Sequence, residues 1–347
     1  MSPSNGDLSE LLWRAGDEET AHRRRALRRA AGAARFWSDE ARDLAEVGRS
    51  LTELHAVGPW VAAMIHGWLD APPEIPEPDE TRSGFLTMAE ARRVLDAEPE
   101  WERTPHADLQ VHTTDSDGGV PLPEMASFAR GLGRPFIAIT DHSKSLTIAN
   151  GMDEGRLADQ IVRIGEMNAG WAATREPFRV LRSIEMDVFP DGTCDMEPET
   201  LAPLDLVLGA FHSKLRISDD QTERYLAALR DPSVHILAHP QARMYGRRTG
   251  LRADWARVFA EAADRGKAVE LDATPARQDL SVGLARIAVA EGVRWFSIGS
   301  DAHSAFELEF LPFGLATAAL AGIPRERILN YRTAEEVVSW GRELRAR

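Results

Sequence analysis

The chain has 347 residues, 43% of them hydrophobic, enough for one large core and a small second unit. A formal net charge of -14 excludes a uniformly basic, nucleic-acid-coating surface, while leaving local basic patches open. The single cysteine, Cys194, excludes an internal disulfide and any zinc site built from paired thiolates, so metals would be held by carboxylates and the ten histidines.

The N-terminus reads M-S-P-S-N-G-D-L-S-E, without the basic-then-apolar order of a secretory signal, and no apolar run reaches about 18 residues. A cytoplasmic protein without a membrane partner is expected, and no obligate protein partner is inferable. Residues 7–70 read as helices, with apolar positions at Leu8, Leu11 and Leu12 and again at Leu44, Val47, Leu51 and Leu54. A-P-P-E-I-P-E-P-D-E-T-R at 71–82 carries four prolines and suits an extended linker, so a helical domain 1–70 is expected to end there. In the connecting stretch 71–104, Thr87 caps a helix expected over Met88–Ala97.

From 105 to 347 short apolar runs alternate with helix-like segments, the pattern of β/α units around a parallel sheet. Seven runs stand out: Asp108–His112, Phe136–Thr140, Val180–Val188, Leu206–Phe211, Val234–Ala238, Ala268–Asp272 and Trp295–Gly299. Seven repeats predict an α/β fold with a distorted seven-stranded TIM-like barrel; an open doubly wound sheet is the alternative. Catalytic groups of parallel barrels sit at C-terminal strand ends, and the polar residues fall there repeatedly. His112 ends the first run with Asp117 beyond it, Asp141 and His142 the second, and Glu185 lies near the end of the third. His212 and His239 end the fourth and fifth, and Asp301 and His303 follow the seventh; only the sixth lacks a His. Burying such groups costs several kcal/mol, of order 2–7 each, unless they are paired, and gathering them on one face is what a metal site needs. His and carboxylate donors without thiolate suit Mn, Zn or Fe.

The motifs D-L-Q-V-H-T-T-D-S-D-G (108–118), I-T-D-H-S (139–143), E-M-D-V (185–188), F-H-S (211–213), A-H-P (238–240) and S-D-A-H (300–303) resemble the polymerase-and-histidinol-phosphatase (PHP) family. The wording is most similar to the PHP domain of bacterial family X DNA polymerases, including G-R-R at 246–248. The resemblance implies a trinuclear site. His112, Glu185 and Asp301 would hold one metal, Glu185, His212 and His239 a second, and Asp117, His142 and His303 a third. Gln110 departs from the family's His-x-His on the first strand and is expected to be a weak ligand or to position one, leaving two to three divalent ions. Metal-assisted hydrolysis would follow, with Glu185, Asp301 and His239 as the catalytic core and no protein nucleophile. Lys144, Lys214, Arg243 and Arg247 follow strand ends and could hold substrate phosphates. His22, His55, His66, His106 and His235 lie outside the motifs and read as structural or exposed.

Leu51–Ile65 (L-T-E-L-H-A-V-G-P-W-V-A-A-M-I) resembles a helix-hairpin-helix, with Gly58 at the turn facing a DNA phosphate, although Ala56 replaces the first glycine and Pro59 removes a donor. Arg23, Arg24, Arg25, Arg28 and Arg29 form a basic helical run, with Arg24 and Arg28 as candidate DNA contacts. A polymerase palm does not fit between 71 and 104, so templated synthesis is not expected. The expected activity is a metal-dependent phosphoesterase, a 3′-5′ exonuclease or phosphodiesterase acting on DNA. A small-molecule phosphomonoesterase of the histidinol-phosphatase type and a non-catalytic DNA-binding scaffold are the alternatives.

Overall fold

The computed structural model describes residues 2–104 and 106–346. Pro105 and Arg347, the end residues of the expected 105–347 segment, fall outside the described residues. The chain divides into two compact units, Met1–Ala97 and Glu98–Arg347.

The first unit is helical. Ser4 and Asp7 close a reciprocal cap on α1 (Asn5–Asp17), which packs on α2 (Ala21–Ala34) through Leu8, Leu11, Leu12, Leu27, Ala30 and Ala31. Leucines three and four residues apart share one helix face, so they lie dry in the core while the charged face stays in water. After α3 (Ala41–Glu46), residues Leu51–Glu53 form a single 3-10 turn, and Gly58 caps α4 (Pro59–Asp70). Between that turn and α4 the left-handed residue is Ala56, at φ +64°, whereas Gly58 is extended.

Stretch 71–82 contains no helix or strand, as its prolines imply, yet it is held to this unit. Ile75 packs on the helical core, Arg14 donates to the Glu74 carbonyl at 3.0 Å, and Arg82 makes a bidentate pair with Glu10 at 3.0 and 2.9 Å. Helix α5 spans Met88–Ala97, capped by Thr87 and Glu90, and Arg93 reaches Glu40. The division therefore falls at 97/98 and not inside the proline-rich stretch, because side-chain pairs tie that stretch to α1.

The second unit contains eight strands among the described residues, all parallel. β1 (Asp108–Val111), β2 (Phe136–Ile139) and β3 (Arg179–Arg182) form one sheet in that order. β4 (Glu185–Asp187), β5 (Leu208–Ala210), β6 (Ile236–Leu237), β7 (Ala268–Asp272) and β8 (Trp295–Gly299) form the other. Nearly all strand residues are buried, as expected when helices cover a parallel sheet.

The third expected strand, Val180–Val188, is two strands. Arg182 pairs with β2, and its guanidinium and amide bind Asp205 at 2.8–3.1 Å, while Ile184 accepts from Leu208 and directs the chain into the second sheet. The sheets meet at both outer edges. His112 donates to the Ala302 carbonyl at 2.9 Å and Asp301 to that of Gln110 at 3.0 Å; at the other junction Ser143 donates to the Glu185 carbonyl at 3.0 Å. At the N-terminal strand ends Leu109, Leu208, Ile236 and Ala268 pack with Leu329, Val337 and Val338, so the opposite end, where the motif residues lie, is the one left for polar groups. Among the described residues no helix is long and apolar enough to cross a membrane.

Candidate metal centre

All eight expected ligands converge at the C-terminal strand ends. His112 Nε2 lies 3.2 Å from Glu185 Oε2 and 3.1 Å from Asp301 Oδ1. His212 Nε2 and His239 Nε2 lie 3.0 and 2.6 Å from Glu185 Oε1, and His142 Nδ1 lies 3.5 Å from Oε2. Asp117 Oδ1 is 3.6 Å from His142 Nε2 and 3.3 Å from His303 Nε2. Among the described residues three groups could each hold an ion: His112, Glu185 and Asp301; His142, Glu185 and His212; and His112, Asp117, His142 and His303. The rings of His142 and His303 stack on that of His112 at 4.5 and 4.4 Å.

Backbone geometry supports the convergence. His239 and Asp301 hold φ of +26° and +51°, left-handed values that cost a non-glycine residue about 1–3 kcal/mol and that cluster at functional sites. Glu270 Oε2 accepts from His239 N at 2.8 Å and helps hold the first of them. Gly299 has no side chain for a packing reason: a Cβ there would come within 2.5 Å of Gln110 Cβ and 2.6 Å of Glu270 Oε1.

Electrostatics show how the fold accommodates this cluster. Burial pushes the Glu185 carboxyl up, but the surrounding imidazoles, His142 and His239 foremost, outweigh it and hold it well below the usual carboxylate range. Burial lowers His112, yet Asp301 and Glu185 raise it well above the ordinary value. The same contest, with Asp187 and Glu185 as the raising groups, brings His212 up to about 9. His142 goes the other way, down to about 3, because burial and the charges of His112 and His212 exceed the pull of Glu185. Nε2 of His112 and of His212 and Nδ1 of His142 have no well-formed hydrogen bond among the described residues, although each faces Glu185. Buried nitrogen donors without hydrogen bonds around one carboxylate fit divalent cations of the Zn, Mn or Fe type.

Several groups carry weight that sequence reading did not give them. Asp187 Oδ1 lies 3.3 Å from Nδ1 of His212, the carboxylate–imidazole arrangement that aims the opposite ring nitrogen inward. The sixth expected strand, now β7, lacks a His but supplies Glu270 and Asp272, both buried, and its following loop supplies Arg277. Arg277 Nε lies 3.3 Å from Asp301 Oδ2 and 3.7 Å from Asp272 Oδ2. Their signal was the acidic pair two residues apart in A-V-E-L-D, which places both carboxylates on one strand face.

The expected phosphate contacts divide. Arg243 is not available to substrate in this arrangement: it is buried, and its guanidinium donates to the carbonyls of Arg277 at 3.0 Å and Gln278 at 2.5 Å. Position after a strand end does not reveal that a side chain turns inward to brace the next loop. Lys144 is exposed and pairs with Glu154; Lys214 and Arg247 are exposed. On the helical unit, Arg24 donates to the Gly16 carbonyl at 3.1 Å, and Arg28 pairs with Asp17 and covers the Trp13 ring at 4.7 Å, while Arg29 is exposed. His235 is fully buried, its Nδ1 accepting from Val207 N at 2.9 Å, a packing role as expected.

No protein-family model matches the chain. It is 34% identical over 270 residues to the DNA polymerase/3′-5′ exonuclease PolX of Bacillus subtilis, an alignment covering 77% of this chain and 45% of that protein. The chain thus spans less than half the length of that relative. A probable phosphatase of Syntrophotalea carbinolica is 26% identical over 249 residues, 67% of this chain and 94% of the phosphatase. The solved histidinol phosphate phosphatase of Lactococcus lactis, in complex with zinc, L-histidinol and phosphate, aligns with a TM-score of 0.41 at 14% identity, over 59% of this chain and 90% of that one. Identity to PolX at that level, over 77% of this chain, means that the chain belongs to the PHP family.

Proposed function

We propose that this protein hydrolyses phosphodiester bonds at DNA 3′ ends with two to three divalent ions held at the strand-end cluster. Glu185 carries the reading: one buried carboxylate faces the ring nitrogens of His112, His142, His212 and His239 within 3.5 Å. A packing role alone does not require four imidazoles around one acid. In this reading His112, Glu185 and Asp301 hold one ion, Glu185, His212 and His239 a second, and Asp117, His142 and His303 a third. The two sheets together make one distorted barrel of seven positions, with β3 and β4 the halves of a broken strand.

Bound cations of this type polarise a phosphate and lower the pKa of water toward neutrality. The chain's own residues do the rest. Asp187 orients His212, Gln110 orients Glu185 through a 3.0 Å hydrogen bond, and Arg277 fixes Asp301 while presenting positive charge to the site. Lys214 and Arg247 are placed on exposed loops where a phosphate chain could reach them, and Arg29 with the Gly58 hairpin offers a second, weaker contact on the helical unit.

DNA as substrate is supported by the 3′-5′ exonuclease named among the relatives. A phosphomonoesterase is the second reading, favoured by a phosphatase that aligns with this chain over 94% of its own length. Release of nucleotides from DNA 3′ ends and hydrolysis of histidinol phosphate, measured side by side with Mn, Zn and Mg, separate the two. The DNA reaction should exceed the other in kcat/KM, weaken with rising salt, and vanish in Asp301→Asn. Efficient monoester hydrolysis without metal-dependent DNA cleavage would leave the phosphatase as the function.

A further inference from the structure

Asp141 stands beside His142 in the I-T-D-H motif, is fully buried, and belongs to none of the three groups able to hold an ion among the described residues. Its acceptor sites are already filled. Thr113 N and Ser116 Oγ donate to Oδ1 at 2.8 and 2.5 Å, and Thr113 Oγ1 and Gln160 Nε2 donate to Oδ2 at 2.7 Å each. A carboxylate offers about four lone-pair sites, so four donors leave no lone pair for a metal.

Three of those donors belong to the loop that carries Asp117. Within it, Ser116 N and Gly118 N both donate to the Thr113 carbonyl, at 3.1 and 2.9 Å. A Cβ on Gly118 would meet the Thr113 backbone at 2.7 Å, so the turn closes tightly on the residue that Asp141 grips. Asp117 is thereby fixed between Ser116 and Gly118. The fourth donor, Gln160, also donates to Asp115 Oδ2 at 2.8 Å, and Arg163, on the same face of helix Glu154–Ala173, reaches that carboxylate at 2.7 Å.

We infer that Asp141 is a positioning residue that presets Asp117, with Gln160 coupling the loop to the helix behind it. Asp117 and His303 are the most exposed candidate ligands, at 33% and 32% of side-chain surface, so this end of the cluster gains most from a loop ordered in advance. The inference rests on the metal-site reading above and gives Asp141 a different job from its neighbour His142.

The test uses the full chain and two variants, Asp141→Asn and Gln160→Leu, with Mn2+ as the probe. Hydrogen exchange of segment 113–118 in chelator-treated protein should be faster in both variants, more so in Asp141→Asn, with β7 and β8 unchanged. The weakest Mn2+ step should weaken about tenfold or more while tighter steps hold, and kcat should fall with little change in KM. Unaltered exchange, loosening across the whole unit, or a loosened loop with unaltered Mn2+ binding would overturn the inference. If Asp141→Asn does not fold, Gln160→Leu decides by the same criteria. A chain that binds no Mn2+ removes the metal reading, and the exchange comparison in 113–118 then decides by itself whether Asp141 orders the loop.

Discussion

Gln110 donates from Nε2 to Glu185 Oε2 at 3.0 Å, while its own Oε1 has no hydrogen-bond partner among the described residues. The amide steers the central carboxylate from the position where the family pattern has an imidazole. Gln110→His should therefore add a donor beside His112 and Asp301 and tighten metal retention there by about tenfold. Metal content after timed dialysis against chelator measures it. Retention no better than in the unmodified protein would show that position 110 faces no ion.

Glu185→Gln should damage two sites together, because both carboxylate oxygens face candidate ligands: Oε2 toward His112 and His142, Oε1 toward His212 and His239. Elemental analysis should show the loss of more than one equivalent of metal, with kcat lower by about 10²–10³. Full metal content together with full activity would contradict a bridging role.

Much of this centre was legible because a parallel sheet aligns its strand ends, so His112, His142, His212, His239, Asp301 and His303 could be expected on one face from the order of residues alone. The fold brings them together with Glu185 and Asp117, His239 through its ring nitrogen 2.6 Å from Glu185. What the sequence concealed is direction. V-L-R-S-I-E-M reads as one continuous strand, and the break between Arg182 and Glu185 comes from Asp205, distant in sequence, which captures Arg182. The prolines of 71–82 announced an extended segment but not that Arg82 would find Glu10. Arg243 and Arg277 both follow strand ends, and nothing local to either tells which guanidinium folds into the wall and which faces Asp301.

That difference between the two arginines can be measured. Arg243→Ala leaves the carbonyls of Arg277 and Gln278 without their buried donor and should cost about 1–3 kcal/mol of stability, seen as a lower Tm. Arg277→Met removes charge from the site itself. In metal-loaded protein its Tm should stay within about 2 °C, while kcat/KM falls about tenfold, equivalent to about 1.4 kcal/mol. A large loss of Tm for Arg277→Met with unchanged kinetics would assign that residue to the fold alone.

Acid should weaken the fold through a histidine away from the cluster. Burial, reinforced by the positive charges of Arg345 and Lys267, lowers His235 from 6.5 to about 3. The folded protein thus keeps the ring neutral where the unfolded chain takes up a proton. Between about pH 6.5 and 3 the unfolded state binds more protons, so stability is complete above 6.5 and is lost as pH falls toward 3, at up to about 1.4 kcal/mol per pH unit. His235→Asn retains an acceptor for the Val207 amide but cannot titrate. At pH 7 the variant should be less stable, since a smaller group fills the buried site, and the gap should narrow steadily as pH drops from 6.5 to 4. Comparing the two proteins at each pH cancels the carboxylates they share, including Asp108, which burial raises to about 6 and which acts in the opposite direction. Denaturant unfolding across this range reads the gap directly. A gap that stays constant from pH 7 to 4 would mean that His235 takes up its proton as readily in the folded protein as in the unfolded chain, so that its ring is not held neutral by burial.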